Sequence, residues 1–166
     1  MWVRMAAKSR WVDLTAGGSP NAVSWRHNPQ WLLCVTKPTR IIVTLSVPQP
    51  TGAGPAAPPP IGLYVLRGNA APHQRRRKLS LAEGDVVESV EPKFGRRLTK
   101  ELMLLPPVAG QPPNYVLMPY CFYPGVEMDF SLVVRPSAST PPPHRPRSSP
   151  PASQCHPSHH PLTGAR

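Results

Sequence analysis

Cysteine and histidine are the residues of this chain that are best suited to nucleophilic chemistry. The cysteines are Cys34, Cys121 and Cys155, an odd number at wide spacing that predicts no disulfide framework. A cysteine nucleophile needs a nearby base, usually histidine, and a helix start or positive charge that lowers its pKa. Cys34 and Cys121 instead fall within apolar runs typical of strands. We therefore expect both to be buried, unreactive thiols in a reducing compartment.

Residues able to bind a metal are concentrated near the C-terminus, where the sequence of residues 155–160 is CHPSHH. A structural zinc site needs ligands that a fold holds tetrahedrally, and a proline-rich tail supplies no such fold. Glu83 and Asp85 place two carboxylates on one loop, too few to bind calcium strongly. From these residues alone we predict no catalytic, cofactor-binding or metal-binding site.

The sharpest charge run consists of Arg75, Arg76, Arg77 and Lys78, in a chain of net charge +11. Four adjacent cations on a loop repel one another, and one interpretation is that they simply stay solvated. The alternatives are a contact with anionic lipid or an acidic partner, and a nuclear-import signal. The arginines also precede Ser80 as basophilic kinases prefer. Because no aromatic residue interleaves with the run, we predict no specific nucleic-acid partner.

The elements that must position these groups are predicted to be strands, since no sustained helical periodicity appears. In residues 40–47, Ile41, Val43, Leu45 and Val47 fall on one face and Thr44 and Ser46 on the other, as in a half-buried antiparallel strand. Pro38 and Thr39 predict a hairpin that joins this run to the one before it. The predicted strands are 30–36, 40–47, 61–67, 85–90, 98–105, 114–120 and 127–134, with an eighth at 11–14. Propensity alone would also permit a helix at 98–105.

These elements predict an all-β protein, an antiparallel β-sandwich of about eight strands with a disordered Pro-rich C-terminal tail. We expect residues 1–10 to be a lead-in, 11–136 the ordered sandwich, and 137–166 a disordered Pro/Ser/His-rich tail. The proline-rich residues 48–60 predict an extended, mobile insertion. No secretory signal and no apolar run of the ~20 residues that span a membrane appear. We therefore expect a cytoplasmic protein that can associate with membranes.

Two segments carry a resemblance to a known family. The segment WVDLTAGGSPNAVSWRHNPQWLLCV resembles the start of the third domain of calpains, intracellular papain-like cysteine proteases. The segment NYVLMPYCFYPGVEMDFSLVV is similar to the end of that domain. The matching residues, expected to be structural, are Trp11, Gly17, Gly18, Asn21, Trp25, Asn28, Pro29 and Gln30 in the first segment, and Tyr115, Pro119, Pro124, Gly125, Glu127 and Phe130 in the second.

The resemblance implies a non-catalytic regulatory domain that supports or tunes a calpain-type protease core, in cis or in trans. It also implies responsiveness to calcium and contact with anionic phospholipid. The family's catalytic residues lie in the protease core and match nothing here, so we expect no enzyme activity. The conventional acidic loop is replaced by the basic run 75–78, which favours direct attraction to lipid. The alternatives are the C-terminal part of an active calpain-like endopeptidase, and a stand-alone membrane or scaffold adaptor.

Overall fold

The computed structural model describes residues 4–49, 57–69, 77–106, 108 and 114–137. These residues form eight β-strands and two short 3-10 helices, at Asp13–Thr15 and Val23–His27. The strands are β1 (Met5–Trp11), β2 (Trp31–Leu33), β3 (Thr39–Ser46), β4 (Ile61–Arg67), β5 (Val86–Lys93), β6 (Arg97–Leu104), β7 (Tyr115–Cys121) and β8 (Met128–Pro136).

The strands form two four-stranded antiparallel sheets, with the orders β1-β8-β3-β6 and β2-β7-β4-β5. The core lies between them and draws fully buried side chains from both sheets, such as Val43 and Leu132 from one and Leu63 and Leu117 from the other. The alternation predicted for residues 40–47 is confirmed, because Ile41, Val43 and Leu45 are all buried. The predicted all-β fold of about eight strands is therefore confirmed.

The first strand lies earlier in the chain than expected. β1 (Met5–Trp11) pairs with β8 from Met5 opposite Val134 to Trp11 opposite Met128, within residues assigned to the lead-in. The predicted strand at 11–14 is wrong beyond Trp11, because a 3-10 helix follows. Val12 and Thr15 close this turn, with the Thr15 N–H donating to the Val12 carbonyl at 2.8 Å and the Val12 N–H to Thr15 Oγ1 at 3.0 Å.

The predicted hairpin between the second and third strands is wrong. β2 pairs with β7, whereas β3 pairs with β6 and β8 in the opposite sheet. The intervening residues carry the chain across the sandwich, which leaves Cys34 exposed rather than buried as predicted. Cys121, in the central strand β7, is buried as predicted, and burial raises the pKa of its thiol. The residue alternation shows which face is buried but cannot indicate which sheet a strand joins.

The remaining expectations concern the segments between and after the strands. Residues 98–105 do form a strand, since β6 (Arg97–Leu104) pairs along its whole length with β3. Most of the predicted mobile insertion, and the predicted tail after Ser137, lie outside the described residues. Ser137 itself is buried and donates its N–H to the Arg40 carbonyl at 3.0 Å. Within the described ranges, no helix is long and apolar enough to cross a membrane.

Candidate functional site

The two segments that carry the family resemblance meet in space at one end of the sandwich. We call this region, residues 11–30 and 115–127, the entry corner. Trp11 is fully buried, stacks on Phe130 with ring centroids 4.2 Å apart, and donates its indole N–H to the Pro119 carbonyl at 3.3 Å. The aromatic residues that end β1 and lie within β8 therefore anchor the corner to the core.

Backbone hydrogen bonds join the two segments of the entry corner directly. The Ser19 N–H donates to the Phe122 carbonyl at 3.0 Å, and the Gly125 N–H donates to the Ala16 carbonyl at 2.8 Å. A side chain adds a third tie, since Glu127 Oε1 accepts the Asp13 N–H at 2.9 Å. Residues about a hundred positions apart in sequence thus depend on each other for their conformation.

Asn28 organises the interior of the corner. Its side chain is fully buried, its Oδ1 accepts the Gly17 N–H at 3.1 Å, and its Nδ2 donates to the Gly18 carbonyl at 2.7 Å. Gly18 has a φ of +79°, and a side chain there would collide with Pro124. Asn28 thus bridges two residues that lie ten or more positions earlier in the chain.

The other signature residues of the first segment are less buried. Asn21 is exposed, whereas Trp25 and Pro29 are half-buried. Asn28 has φ −51° and ψ 149°, the extended conformation expected for a residue before proline.

In the second segment, Tyr115 is buried and donates its hydroxyl to the Leu105 carbonyl at 2.7 Å. These contacts indicate a structural corner, and none of them points to chemistry.

The end of the basic run is docked against the entry corner. Gln30 bonds the backbone of Lys78 twice, accepting its N–H at 2.7 Å and donating to its carbonyl at 3.0 Å. Arg77 is exposed, yet its guanidinium donates to the carbonyls of Arg26 at 2.9 Å and Asn28 at 3.2 Å. Sequence reasoning missed this docking, because nothing in the spacing of Gln30 and Lys78 marks them as partners.

Lys78 contradicts the expectation that the whole basic run stays solvated. It is only 6% exposed, and its Nζ lies 2.8 Å from Asp85 Oδ1. The same ammonium donates a hydrogen bond to the Gly68 carbonyl at 3.2 Å. Asp85 Oδ2 also accepts the Ala82 N–H at 2.6 Å. The positions of Arg75 and Arg76, the rest of the predicted lipid contact, lie outside the described residues.

The electrostatic balance at Asp85 favours its ionised form. Partial burial opposes ionisation, but hydrogen bonds from Lys78 and the Ala82 N–H, together with the charges of Lys78 and Arg67, outweigh it. The pKa of the Asp85 carboxyl therefore lies below its ordinary value. Lys78 and Asp85 form an ion pair that is integral to the folded loop.

The resemblance implies calcium, but the Glu83–Asp85 loop does not fit it. Lys78 and the Ala82 N–H engage both Asp85 oxygens, and Glu83 is exposed. Within the described ranges, no group of three or more His, Cys, Asp or Glu residues could hold a metal ion. His27 ends the second 3-10 helix, and His73 and Cys155 lie outside the described residues.

Three large apolar side chains on the entry corner face solvent. Leu14 is 77% exposed on the first 3-10 helix, Val23 is 82% exposed on the second, and these two helices contact each other. Tyr123, 50% exposed, follows Phe122, whose carbonyl accepts the Ser19 N–H. Exposed large apolar side chains such as these are candidates for contact with another protein.

Comparison with known proteins gives one informative similarity. No protein-family model matches the chain. Over 125 residues, 75% of the chain, it is 34% identical to "Serine/threonine-protein kinase 4 homolog B" of Dictyostelium discoideum. The match covers 10% of that kinase, so the chain spans about a tenth of its length. The sequence of this chain contains no GxGxxG, HRD or DFG motif of a kinase catalytic domain.

Proposed function

We propose that this chain is a non-catalytic regulatory β-sandwich of the calpain third-domain type, which supports or tunes an enzyme core in cis or in trans. The observation that carries the proposal is the entry corner. Several residues that resemble the calpain domain tie the two segments together: Trp11 donates to the Pro119 carbonyl, Gly125 donates to the Ala16 carbonyl, and Glu127 accepts the Asp13 N–H. The meeting of both resembling segments in one structural corner supports the proposed domain type.

The proposed contact uses the three exposed apolar side chains of the corner. Leu14, Val23 and Tyr123 stand on backbone that the hydrogen bonds between the two segments hold in place. Burying one large apolar side chain contributes about 1.5–3 kcal/mol. The proposal assigns the contact with the enzyme core to this surface, since a preorganised patch loses little entropy on binding.

The similarity to a Dictyostelium kinase supports the accessory role. The match occupies a small part of that long protein, and this chain lacks the kinase motifs. A domain of this type would therefore accompany enzyme cores of different chemistry. The alternatives are that the chain is the C-terminal part of an active calpain-like endopeptidase, or a stand-alone membrane or scaffold adaptor. In a calpain, calcium dependence would then belong to the protease core rather than to the Glu83–Asp85 loop.

The test mixes the purified chain with the isolated protease core of a calpain in calcium. Binding is measured by titration calorimetry, and activity by cleavage of a fluorogenic peptide. The wild-type chain should bind and change kcat/KM, and the triple variant Leu14→Ser, Val23→Ser, Tyr123→Ser should bind at least about tenfold more weakly. The matched control is Phe94→Ser, because Phe94 is 75% exposed in the β5–β6 connection, outside the corner.

Each outcome of this experiment bears on the proposal. Phe94→Ser should behave like the wild-type chain. The proposal fails if the wild-type chain neither binds the core nor changes its activity. The assigned surface is wrong if the triple variant binds as the wild type does. Peptide cleavage by the chain alone, abolished by a thiol-alkylating reagent, would overturn the non-catalytic assignment.

A second proposed function is contact with anionic phospholipid, supported by the net charge of +11. Arg77 and Lys78 already bond within the fold, so the proposal assigns this contact chiefly to Arg75 and Arg76. Each cation near an anionic surface contributes about 1 kcal/mol. Co-sedimentation with vesicles tests it, as described in the Discussion.

A further inference from the structure

Ser80 lies immediately after the docked residues Arg77 and Lys78, in the sequence RKLSL. We propose that Ser80 is a phosphoacceptor for a basophilic serine/threonine kinase, and that docking of Arg77 and Lys78 onto the entry corner limits its phosphorylation. This modification site is independent of the proposed regulatory function, because it requires no enzyme core bound to the chain.

The recognition chemistry is present in the described residues. Basophilic kinases bind an extended segment and pair an arginine three residues before the acceptor with their own carboxylates, which Arg77 matches. Lys78 is a second cation, two residues before Ser80. The acceptor segment is accessible, since Ser80 is exposed and its neighbours Leu79 and Leu81 are 46% and 37% exposed.

The transfer is an ordinary phosphorylation with ATP as the phosphoryl donor. Ser80 Oγ attacks the γ-phosphorus, a new Oγ–P bond forms, and the bond from that phosphorus to the β,γ-bridging oxygen breaks. ADP leaves with that oxygen, and the hydroxyl proton passes to the catalytic aspartate of the kinase. The product carries a charge of about −1.5 to −2 at neutral pH.

Docking withholds the two recognition cations from a kinase. The Arg77 guanidinium is bonded to the carbonyls of Arg26 and Asn28, and the Lys78 ammonium is buried against Asp85. Both side chains must leave these partners before a kinase carboxylate can bind them. The loop is held by side-chain hydrogen bonds rather than by a strand ladder, so it can open locally while the sheets stay folded.

Thr99 offers an internal comparison. Arg96 and Arg97 precede it at the same spacings, so sequence alone does not distinguish Thr99 from Ser80. Thr99, however, lies within β6, whose backbone pairs with β3 from Arg97 to Leu104, and its hydroxyl bonds that of Thr44 at 3.3 Å. Thr99 is exposed on an edge strand, but a kinase cleft that surrounds the segment must compete with its backbone ladder to β3. The fold therefore favours Ser80 over Thr99.

The experiment phosphorylates the full chain with the catalytic subunit of cAMP-dependent protein kinase and Mg-ATP. Initial rates come from intact-mass spectrometry, and phosphopeptide mapping separates Ser80 from Thr99 and from Ser148, which follows Arg145 in the tail. Ser80→Ala should remove the mapped phosphate, and Thr99→Ala should leave the rate unchanged. A synthetic peptide of residues 73–84 should react at least about tenfold faster than the folded chain at equal concentration.

Gln30→Ala tests the role of docking, because it removes both hydrogen bonds to the Lys78 backbone. It should raise the rate at Ser80 about fivefold to tenfold. The matched control is Gln49→Ala, since Gln49 is exposed and follows β3. If circular dichroism shows that Gln30→Ala is unfolded, Asn69→Ala replaces it, because Asn69 donates to the Arg77 carbonyl at 2.9 Å.

Three results would overturn the proposal. Phosphate found at Thr99 or Ser148, with Ser80 unmodified, would exclude Ser80 as the acceptor. An unchanged rate in the folded docking variant, or a peptide no faster than the folded chain, would show that docking does not limit the reaction.

Discussion

The docked loop, residues 77–85, and the β5–β6 segment, residues 86–104, contain similar charged and hydroxyl residues in different structural environments. Each has two cations ahead of a hydroxyl residue, and each has a lysine–carboxylate pair of similar length, 2.8 Å for Lys78–Asp85 and 2.9 Å for Lys100–Glu88. The Lys78 side chain is 8% exposed, whereas that of Lys100 is 38% exposed. The two ion pairs have nearly the same length and differ in how deeply their lysines are buried.

The two regions also differ in what holds them. The docked loop is fixed by side chains, such as those of Gln30 and Arg77, that bond backbone carbonyls and N–H groups. β6 is fixed by a backbone ladder that pairs all its residues with β3. Side-chain docking can be released one contact at a time, whereas a ladder separates only with its sheet. The same basic motif therefore lies in a releasable loop in one place and within a strand ladder in the other.

The largest expected difference is in stability. Lys78→Met should lower the free energy of unfolding by about 2–4 kcal/mol, because it leaves the Asp85 carboxylate inside the loop without its partner. Lys100→Met should lower it by less than about 1 kcal/mol, since an exposed ion pair contributes little. Urea unfolding followed by circular dichroism measures both. Equal losses would mean that burial does not distinguish the pairs.

Asn28→Ala should lower the free energy of unfolding by about 1–3 kcal/mol, because it leaves the buried Gly17 N–H and Gly18 carbonyl without their partner. Because loss of these side-chain bonds loosens the backbone whose residue-28 carbonyl accepts from Arg77, hydrogen exchange should accelerate in residues 77–80 more than in β6. Asn21→Ala, at an exposed position, is the control and should change stability by less than about 0.5 kcal/mol. Uniform acceleration in both regions would argue against local docking.

Acid should weaken the docked loop through Asp85. Because its pKa is lower in the folded than in the unfolded state, its ionisation stabilises the fold above the unfolded value of about 3.9. That contribution is lost as pH falls from there through the folded pKa. Asp85→Asn and Lys78→Met should both flatten the dependence of unfolding free energy on pH below about 4. An unaltered slope in both variants would contradict the assignment.

The smallest effect concerns membranes. Replacing Arg75 and Arg76 with alanine should weaken binding to phosphatidylserine-containing vesicles by up to about 2 kcal/mol. The weaker binding should appear as less protein in the vesicle pellet. The matched control replaces Arg96 and Arg97, the paired cations of the β5–β6 segment. Neutral vesicles should sediment little of any variant. Identical vesicle binding by the two double variants would mean that the total charge of the chain, rather than the basic run, determines its affinity for lipid.

Much of the fold was predictable because the alternation of apolar and polar residues indicates strands from short stretches of sequence. The alternation of Ile41, Val43 and Leu45 marks a strand with one buried face wherever that strand lies. The crossing between β2 and β3, which exposes Cys34, was not predictable, because a short connection containing proline suits a hairpin as well as a change of sheet. The corner residues were recognised by resemblance, but the partners of Asn28 and Gln30 were not.

The sequence by itself determined the all-β character, the approximate strands, the basic charge and the spacing of cations before Ser80 and Thr99. The tertiary structure alone decided that Lys78 is buried, that Arg77 is engaged, and that Thr99 lies within a ladder. The physical reason is that these outcomes depend on partners remote in the chain, such as Gln30 and Lys78, 48 residues apart. Such partners meet only after the strands have been sorted into their sheets.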